Sequence, residues 1–287
     1  MKFTVAKAQI YGSGRLDYRN SAYRCPRHSI PRLIHMELTD HTRLDHCPLC
    51  NGTRHDPWRA KDGYEVVRCA DCSFVFSKDY PSADFLRKFY EPTYQPEGDT
   101  FIPAGGFLRR LKYRVFSRWI SGYFPKDKPI RTLEVGCGQG DFLNSIKNNP
   151  RFEGQGIDYA EAPLAYAKSQ GLNVQKGDIQ SLGIPDASFD LVIAIHVLEH
   201  VHDLNRTLSE MSRILRPGGL LFAVCPSVTH FKSLMAGENW KYLGPPGHLW
   251  YLSPKTFAAF VLKNGFSKVL RCNHFYHRAH VRVLAQK

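Results

Sequence analysis

From residue 130 to its end, the chain alternates short apolar runs typical of buried strands with amphipathic stretches of helical length. Strand patterns cover residues 131–135, 153–158, 172–176, 190–195, 220–224, 267–272 and 280–285. Helical patterns cover residues 141–148, 161–169, 203–215 and 254–263. Strands that alternate with helices indicate an α/β fold in which helices cover both faces of a parallel sheet.

A glycine-rich segment joins the first of these strands to the first helix. Glu134 lies near the end of the strand, Gly136, Gly138 and Gly140 follow it, and Asp158 ends the second strand. Glycines let the backbone turn tightly against a ligand, and a carboxylate at the second position can accept hydrogen bonds from both hydroxyls of an adenosine ribose. The dinucleotide form of this loop is G-x-G-x-x-G, whereas here the third glycine comes one residue earlier. An adenosine-containing ligand is therefore expected at this loop.

Two C-x2-C pairs precede this region. Cys47 and Cys50 form the first pair, and Cys69 and Cys72 form the second, with residues 51–68 between them. This spacing is typical of four thiolates that bind one zinc ion in a tetrahedron. Four thiolates leave no open coordination position, so the ion is expected to be structural. The other four cysteines stand alone, which argues against a secreted disulfide framework and favours a reducing compartment.

The charge and hydropathy of the chain indicate which partners and which cellular location to expect. Its 287 residues carry 39 Lys and Arg against 26 Asp and Glu, a net charge of +13. That excess favours an anionic partner, such as nucleic acid, a phosphorylated metabolite or an anionic membrane surface. No apolar run reaches the ~20 residues that span a bilayer. The first residues lack a signal-peptide core, so a cytoplasmic location is expected.

These patterns predict four segments: a flexible basic arm over residues 1–45, a zinc ribbon over 46–80, a linker with a basic amphipathic helix over 81–128, and the α/β domain over 129–287. Strands are expected in the ribbon at Tyr64–Cys69 and Ser73–Ser77. The helix is expected over residues 107–124. Its basic face is either solvated or a docking surface for a phosphate-bearing substrate or a membrane. Its predicted apolar face consists of Leu108, Leu111, Val115, Trp119 and Tyr123.

Six short segments resemble, in order, the motifs of the class I S-adenosylmethionine-dependent methyltransferases. They are residues 135–140, 156–159, 176–179, 189–192, 197–201 and 215–219. The resemblance covers about residues 105–287 and implies a Rossmann-like, seven-stranded sheet whose last strand is antiparallel. The four-cysteine ribbon and the tyrosine-bearing stretch 89–94 are similar to a subgroup associated with sugar, surface-polysaccharide and secondary-metabolite pathways.

The resemblance implies S-adenosyl-L-methionine as the cofactor and gives each motif residue a role. Gly136, Gly138 and Gly140 would let the backbone approach the methionine part of the cofactor. Glu134 would lie near its ammonium group, through water.

At the adenosine part, Asp158 would bind the ribose and Tyr159 would cover one face of the adenine. Asp178 would accept a hydrogen bond from the adenine amine, and Ile179 would pack beside the ring.

Three histidines are candidates for a general base, which is needed only if the acceptor must lose a proton. His196 and His200 are expected to flank a helix that follows the fourth strand, and His248 lies in an irregular segment placed to cover the cofactor. Four aromatic residues are candidates either for the wall of an acceptor pocket or for ordinary packing: Trp240, Tyr242, Trp250 and Tyr251.

The function that these patterns favour is methyl transfer to a small molecule, such as a sugar, a polysaccharide precursor or another secondary metabolite. The first alternative is an RNA methyltransferase acting on ribosomal RNA, because a basic chain with a zinc ribbon suits nucleic acid. A non-catalytic zinc-ribbon binding protein and a nicotinamide-dependent oxidoreductase follow as weaker alternatives.

Overall fold

The structure is a computed structural model that describes residues 41–82, 84–86, 107–275 and 278–287. Most of the predicted basic arm, much of the predicted linker and the tyrosine-bearing stretch 89–94 lie outside the described residues. Over the ranges that are described, no helix combines the length and the apolar character needed to cross a membrane.

The cysteine-bearing segment contains five short strands: β1 (His41–Arg43), β2 (His55–Lys61), β3 (Tyr64–Cys69), β4 (Val75–Ser77) and β5 (Asp79–Pro81). β1 pairs antiparallel with β5, and β2, β3 and β4 form an antiparallel sheet. β3 has its predicted bounds, whereas β4 starts two residues late because Ser73 adopts a left-handed φ of 66°. The sequence did not predict β2, whose Pro57 and polar side chains hide the strand pattern. β1 lies within the segment predicted as the basic arm.

Helix α1 (Phe107–Ser121) follows and lies on the larger sheet. Its apolar face differs from the prediction. Leu111 and Val115 are 45% and 62% exposed, whereas Tyr113 and Ile120 are buried. Tyr113 and Ile120 pack in one cluster with Phe142 of the following helix, so contacts with the rest of the fold select this neighbouring stripe of the helix.

A seven-stranded sheet forms most of the rest of the chain. Its strands are β6 (Ile130–Val135), β7 (Phe152–Asp158), β8 (Val174–Lys176), β9 (Phe189–Ile195), β10 (Leu215–Pro226), β12 (Lys268–His274) and β13 (His280–Gln286), while β11 (Trp250–Tyr251) belongs to the smaller sheet. The spatial order is β12-β13-β10-β9-β6-β7-β8, and only β13 runs antiparallel to its neighbours. The predicted Rossmann-like sheet with an antiparallel last strand is therefore confirmed.

The remaining helices are α2 (Asp141–Ile146), α3 (Glu161–Ser169), α4 (Leu204–Ile214), α5 (Phe231–Ala236) and α6 (Pro254–Lys263), with a 3-10 turn at Gly237–Asn239. Short polar side chains cap the N-termini of α4 and α6. Asp203 accepts from the Arg206 N–H at the start of α4, and Ser253 forms a capping box with Thr256 at the start of α6. Such caps satisfy N–H groups that have no partner within the helix.

Helices cover both faces of the larger sheet, as the strand and helix alternation predicts. Ile120 of α1 packs with Leu191 and Ile193 of β9 on one face, together with side chains of α2 and α3. Val192 and Ala194 of the same strand pack on the other face with side chains of α4 and α6. All four β9 side chains are fully buried, as expected of a central parallel strand.

Strand β11 connects the two sheets. Its Trp250 and Tyr251 pair antiparallel with Phe76 and Val75 of β4, so β11 becomes the fourth strand of the cysteine-bearing sheet. The ring centroid of Phe74, which precedes β4, lies 4.8 Å from that of Phe260 in α6. The smaller sheet therefore shares one hydrophobic core with the larger one.

Candidate active site

The loop between β6 and α2 holds its three glycines in the left-handed region, with φ of 66°, 51° and 76° at Gly136, Gly138 and Gly140. A Cβ on Gly136 would lie 2.4 Å from a methyl of Val197, and one on Gly140 would lie 2.4 Å from a methyl of Leu172. A Cβ on Gly138 would meet nothing within 4 Å. Two of the glycines thus serve close packing, and Gly138 faces open space at the loop.

Asp158 lies beside this loop because β6 and β7 are parallel and end at the same edge. Its carboxylate accepts the Gly138 N–H at 2.7 Å and the Ala160 N–H at 2.9 Å. Burial raises the pKa of this carboxyl, although the backbone hydrogen bonds oppose the shift. The side chain therefore ties the glycine loop to the loop after β7, and it holds a carboxylate where the sequence predicts ribose binding.

Glu134 is the second carboxylate of this edge and is only 6% exposed. Its Oε2 has no hydrogen-bond partner among the described residues. Burial, with the nearby Asp141 carboxylate, raises the pKa of Glu134 well above its usual range. A buried carboxylate with an unsatisfied oxygen is stabilised by a cation. The ammonium group of S-adenosylmethionine fits this requirement.

The predicted adenine-binding residues also come together. The Tyr159 hydroxyl donates to Asp178 Oδ2 at 2.6 Å, and Asp178 Oδ1 accepts the N–H groups of Gln180 and Ser181. Although burial opposes it, these hydrogen bonds lower the pKa of Asp178. Tyr159 is 66% exposed and Ile179 is buried. An exposed ring, an ionised carboxylate and an apolar side chain are therefore grouped after β7 and β8.

The three predicted histidines meet around Glu199. Nδ1 of His196 lies 3.3 Å from Glu199 Oε1, and Nε2 of His200 lies 3.9 Å from the same oxygen. The rings of His200 and His248 have centroids 4.5 Å apart. Burial and the neighbouring His200 lower the pKa of His248 to about 4, so its imidazole is neutral at pH 7. Burial alone would raise the pKa of Glu199, but the hydrogen bond from His196 and the charge of His200 lower it to about 2.

His196 also shows a backbone constraint. Its φ of 59° is rare for a residue with a side chain, and its N–H donates to the Val224 carbonyl at 2.8 Å. Such conformations cluster at functional sites, where the surrounding structure maintains them. The strand end thus directs the His196 side chain toward Glu199.

Sequence reasoning missed two members of this cluster. In the sequence Glu199 is one residue of the motif at 197–201, and no pattern gives His280 a role. The antiparallel pairing of β13 with β10 places His280 opposite Pro226, and its ring centroid lies 4.5 Å from that of His196. Burial lowers the pKa of His280 to about 2. The expected antiparallel last strand was the available signal, but its register was not readable from the sequence.

The four candidate aromatic residues divide between the cluster and the packing. The Tyr242 carbonyl lies 2.7 Å from His248 Nδ1, and its ring centroid lies 5.0 Å from that of His280. Trp250 instead donates its Nε1–H to the Val201 carbonyl. Trp250 and Tyr251 form β11, while Trp240 packs with Tyr251. Tyr242 thus contacts the histidine cluster.

The two cysteine pairs converge as their spacing predicts. Sγ of Cys47 lies 3.5 Å from Sγ of Cys72, Sγ of Cys50 lies 3.5 Å from Sγ of Cys69, and all four sulfurs lie within 4.8 Å of one another. A disulfide requires about 2.05 Å. A tetrahedron with Zn–S bonds of ~2.3 Å has edges of about 3.8 Å, so the four sulfurs fit one zinc ion.

The two cysteine turns have matching backbones. The residues that follow them, Asn51 and Ser73, have φ of 64° and 66° and donate their N–H groups to the carbonyls of Cys47 and Cys69. Backbone N–H groups of Leu49 and Cys50 also point at the Cys47 sulfur. N–H groups aimed at sulfur stabilise a thiolate. The four cysteine sulfurs are therefore suited to bind a cation.

Basic and aromatic residues that lie between the two cysteine pairs make contacts within the chain. The Arg59 guanidinium lies 4.0 Å from the Trp58 ring centroid and donates to the Gly237 carbonyl. Arg54 forms an ion pair with Asp71. These contacts do not form a row of exposed rings such as single-stranded nucleic acid stacks on.

Residues 107–270 match the family model described as a methyltransferase domain, which is more than half of the chain. The glycine loop and the acidic residues that follow it lie inside this range. The chain therefore belongs to the class I S-adenosylmethionine-dependent methyltransferases.

Individual relatives agree with this family. A probable S-adenosylmethionine-dependent methyltransferase of Mycobacterium tuberculosis is 30% identical over 146 residues, 50% of this chain and 51% of the relative. A demethylmenaquinone methyltransferase of Deinococcus radiodurans is 37% identical over 100 residues, 32% of this chain and 42% of the relative. The chain thus spans about half or less of the length of these curated relatives. A solved methyltransferase of Archaeoglobus fulgidus shares the fold, with a TM-score of 0.50 and 22% identity over 72% of this chain and all of that one.

Proposed function

We propose that this protein transfers the methyl group of S-adenosylmethionine to a small-molecule acceptor. The observation that carries the proposal is Glu134, a buried carboxylate whose Oε2 has no partner among the described residues and which lies on the strand leading into the glycine loop. A neutral ligand would leave this charge unsatisfied, whereas the cofactor brings both an ammonium and a sulfonium group. Family membership supplies the identity of the cofactor.

The cofactor residues take the roles that the resemblance implies. Glu134 attracts the ammonium group, and the backbone at Gly136, Gly138 and Gly140 leaves room for the methionine part. The open space at Gly138 supports this placement.

Asp158 binds the ribose hydroxyls, using lone pairs that remain after its two backbone hydrogen bonds. Tyr159 covers the adenine, Asp178 accepts from the adenine amine, and Ile179 packs beside the ring. The exposure of Tyr159 and the burial of Ile179 suit an aromatic cover and an apolar floor.

His196, His200 and His248 are the candidates for removing a proton from the acceptor. His248 is neutral at pH 7, so its imidazole can accept a proton. Because the sulfonium is already a strong electrophile, the main task of the protein is to hold the acceptor in line with the methyl group. The demethylmenaquinone methyltransferase relative is consistent with a small organic acceptor. Sugars, polysaccharide precursors and other secondary metabolites remain the acceptor classes that the sequence favours.

The same proposal includes a structural zinc ion bound by Cys47, Cys50, Cys69 and Cys72. Four thiolates close the coordination sphere, so the ion would stabilise the fold and leave no position for a substrate. The predicted segment boundaries at residues 45, 80 and 128 and the cytoplasmic location also remain parts of this proposal.

The test is the change in melting temperature of the purified chain with S-adenosylmethionine, S-adenosylhomocysteine and NAD. A ligand at ~100 times its dissociation constant stabilises a protein by about 2.7 kcal/mol. We expect stabilisation by the two adenosyl-sulfur compounds and none by NAD.

Asp158→Asn is the matched variant, because it keeps the size of the side chain and should abolish most of the shift. A folded, metal-loaded protein that none of the compounds stabilises would overturn the proposed function. Stabilisation by NAD alone would favour the oxidoreductase alternative.

A further inference from the structure

Glu199, His200 and His248 form a second group of metal-ligating side chains, separate from the four cysteines. One potential ligand atom from each lies within 4.8 Å of the other two. Glu199 is 1% exposed and His248 is 3% exposed, whereas the His200 side chain is 29% exposed. The group is therefore largely buried but reaches the surface at His200.

The hydrogen bonds of the two histidines define which ring nitrogen can act as a ligand. His200 Nδ1 lies 2.8 Å from the Gly247 carbonyl, and His248 Nδ1 lies 2.7 Å from the Tyr242 carbonyl. A carbonyl oxygen only accepts, so in the neutral form of each ring Nδ1 carries the proton and Nε2 is the nitrogen that can act as a ligand. A backbone carbonyl behind the other ring nitrogen is the usual support of a metal-binding histidine.

Glu199 provides an independent observation. Its Oε1 lies near His196 and the carboxylate also receives the buried Cys225 thiol, but its Oε2 is buried and meets no nitrogen or oxygen partner among the described residues. A buried carboxylate oxygen without a hydrogen bond is unfavourable unless something positive approaches it. A cation bound at the centre of the group would satisfy this oxygen.

We propose that Glu199, His200 and His248 bind a divalent transition-metal ion. Two imidazoles and one carboxylate suit zinc, cobalt, iron or manganese better than calcium or magnesium, which prefer oxygen ligands alone. Bonds of ~2.1 Å place ligand atoms of a tetrahedral site about 3.4 Å apart. The group must therefore contract on binding, and the partly exposed His200 has room to move.

Three protein ligands leave at least one coordination position for an exogenous oxygen. The group lies close to the glycine loop, because Val197 of the same turn contacts Gly136. This step rests on the proposed function: the open position would take an oxygen of the acceptor, which identifies the acceptor as a hydroxyl- or enol-bearing molecule. A bound metal would lower the pKa of such an oxygen and prepare it for methylation, in place of proton removal by His200 or His248.

The experiment is metal counting on the full chain. The protein is dialysed separately against Mn²⁺, Co²⁺ and Zn²⁺, and the bound metal is measured by atomic emission. We expect at least one of these ions to bind at one per chain beyond the ion held by the four cysteines. Mn²⁺ is informative because a hard ion does not displace zinc from four thiolates.

His200→Asn and His248→Asn are the test variants. Asn places an amide N–H near the position of Nδ1, so it can preserve the bond to the backbone carbonyl while removing the Nε2 ligand. The affinity for the second ion should fall by more than the roughly 10–100-fold that follows the loss of an outer-shell partner. His274→Asn is the control, since His274 contacts Ser227 and Thr229 and should leave the count unchanged.

Absence of a second ion with all three metals, or its retention in both folded variants, would overturn the cation site. The melting-temperature shift with S-adenosylmethionine is measured on the same samples, which separates the two proposals. Binding of the second metal ion without a melting-temperature shift by S-adenosylmethionine would support the cation site and contradict the methyltransferase function. The reverse result would retain the function and reject the site.

Discussion

At the scale of single residues, two carboxylates dominate the cofactor edge of the sheet. Glu134 and Asp158 are both withdrawn from water, and burial raises the pKa of each. They differ in their partners, because Asp158 accepts two backbone hydrogen bonds whereas Glu134 Oε2 has none among the described residues. Glu134 is therefore the residue whose charge depends most on the arrival of a cation.

This difference predicts a pH dependence of cofactor binding. Glu134 is protonated below its raised pKa and cannot then attract an ammonium group, so affinity for S-adenosylmethionine should rise as the pH increases through that raised pKa. For a single titrating group, the affinity can change by at most about tenfold per pH unit. Calorimetric titration at three pH values measures the slope, and Glu134→Gln should reduce it by about one proton. An identical slope in the variant would contradict this role.

Gly138 allows a second residue-scale prediction. Its φ of 51° makes Gly138→Ala strained by about 1–2 kcal/mol, but the new Cβ meets no protein atom. We expect a folded protein whose affinity for S-adenosylmethionine falls at least ~10-fold, a difference of about 1.4 kcal/mol. Gly171→Ala is the matched control, because Gly171 also has a positive φ, of 72°, and open space. Equal affinities of the two variants would place the cofactor elsewhere.

At the scale of elements, β11 connects the cysteine-bearing sheet to the histidine cluster. It starts two residues after His248 and pairs with β4, which lies three residues beyond Cys72. Leu249 links both sides, since its carbonyl accepts the Ser77 N–H and its N–H donates to the Glu199 carbonyl. A change in the conformation of the cysteine turns should therefore also change the positions of the histidines.

We predict that removing the metal from the cysteines destabilises the whole chain. A thiol-specific chelator should lower the melting temperature, and added zinc should restore it, because structural zinc sites contribute directly to folding. Cys69→Ser should behave like the chelated protein. Cys272→Ser is the control, since Cys272 lies outside the cluster. An unchanged melting temperature after verified metal loss would show that the ion is not structural.

At the scale of the whole molecule, the two sheets share one hydrophobic core. Phe74 and Phe76 of the cysteine-bearing part pack in the same cluster as Phe257 and Phe260 of α6. Buried aromatic contacts of this kind couple the stabilities of the parts they join.

The shared core predicts one cooperative unfolding transition. Release of metal from the cysteines, followed with a chromophoric chelator, should coincide along a urea gradient with the loss of far-ultraviolet circular dichroism. Coincident transitions are the test of two-state behaviour. Metal release at clearly lower urea than the loss of helix would show that the smaller sheet unfolds by itself.

Much of the fold was readable from the sequence because its signals are local. The strand at Tyr64–Cys69 and the capped helix at Pro254–Lys263 have local causes, namely apolar and β-branched residues in the first and a proline after a serine cap in the second. The face of α1 was not readable, because neighbouring stripes of that helix are both apolar and only the sheet below selects Tyr113 over Leu111.

The sequence by itself determined the order of strands and helices, the glycine loop, the carboxylates beside it and the four-cysteine set, since each depends on residue type and short spacing. Only the tertiary structure decided that β11 completes the cysteine-bearing sheet and that His280 joins His196 near Glu199. Those contacts depend on strand register between segments far apart in the chain. Register is set by how whole faces pack, so no local pattern contains it.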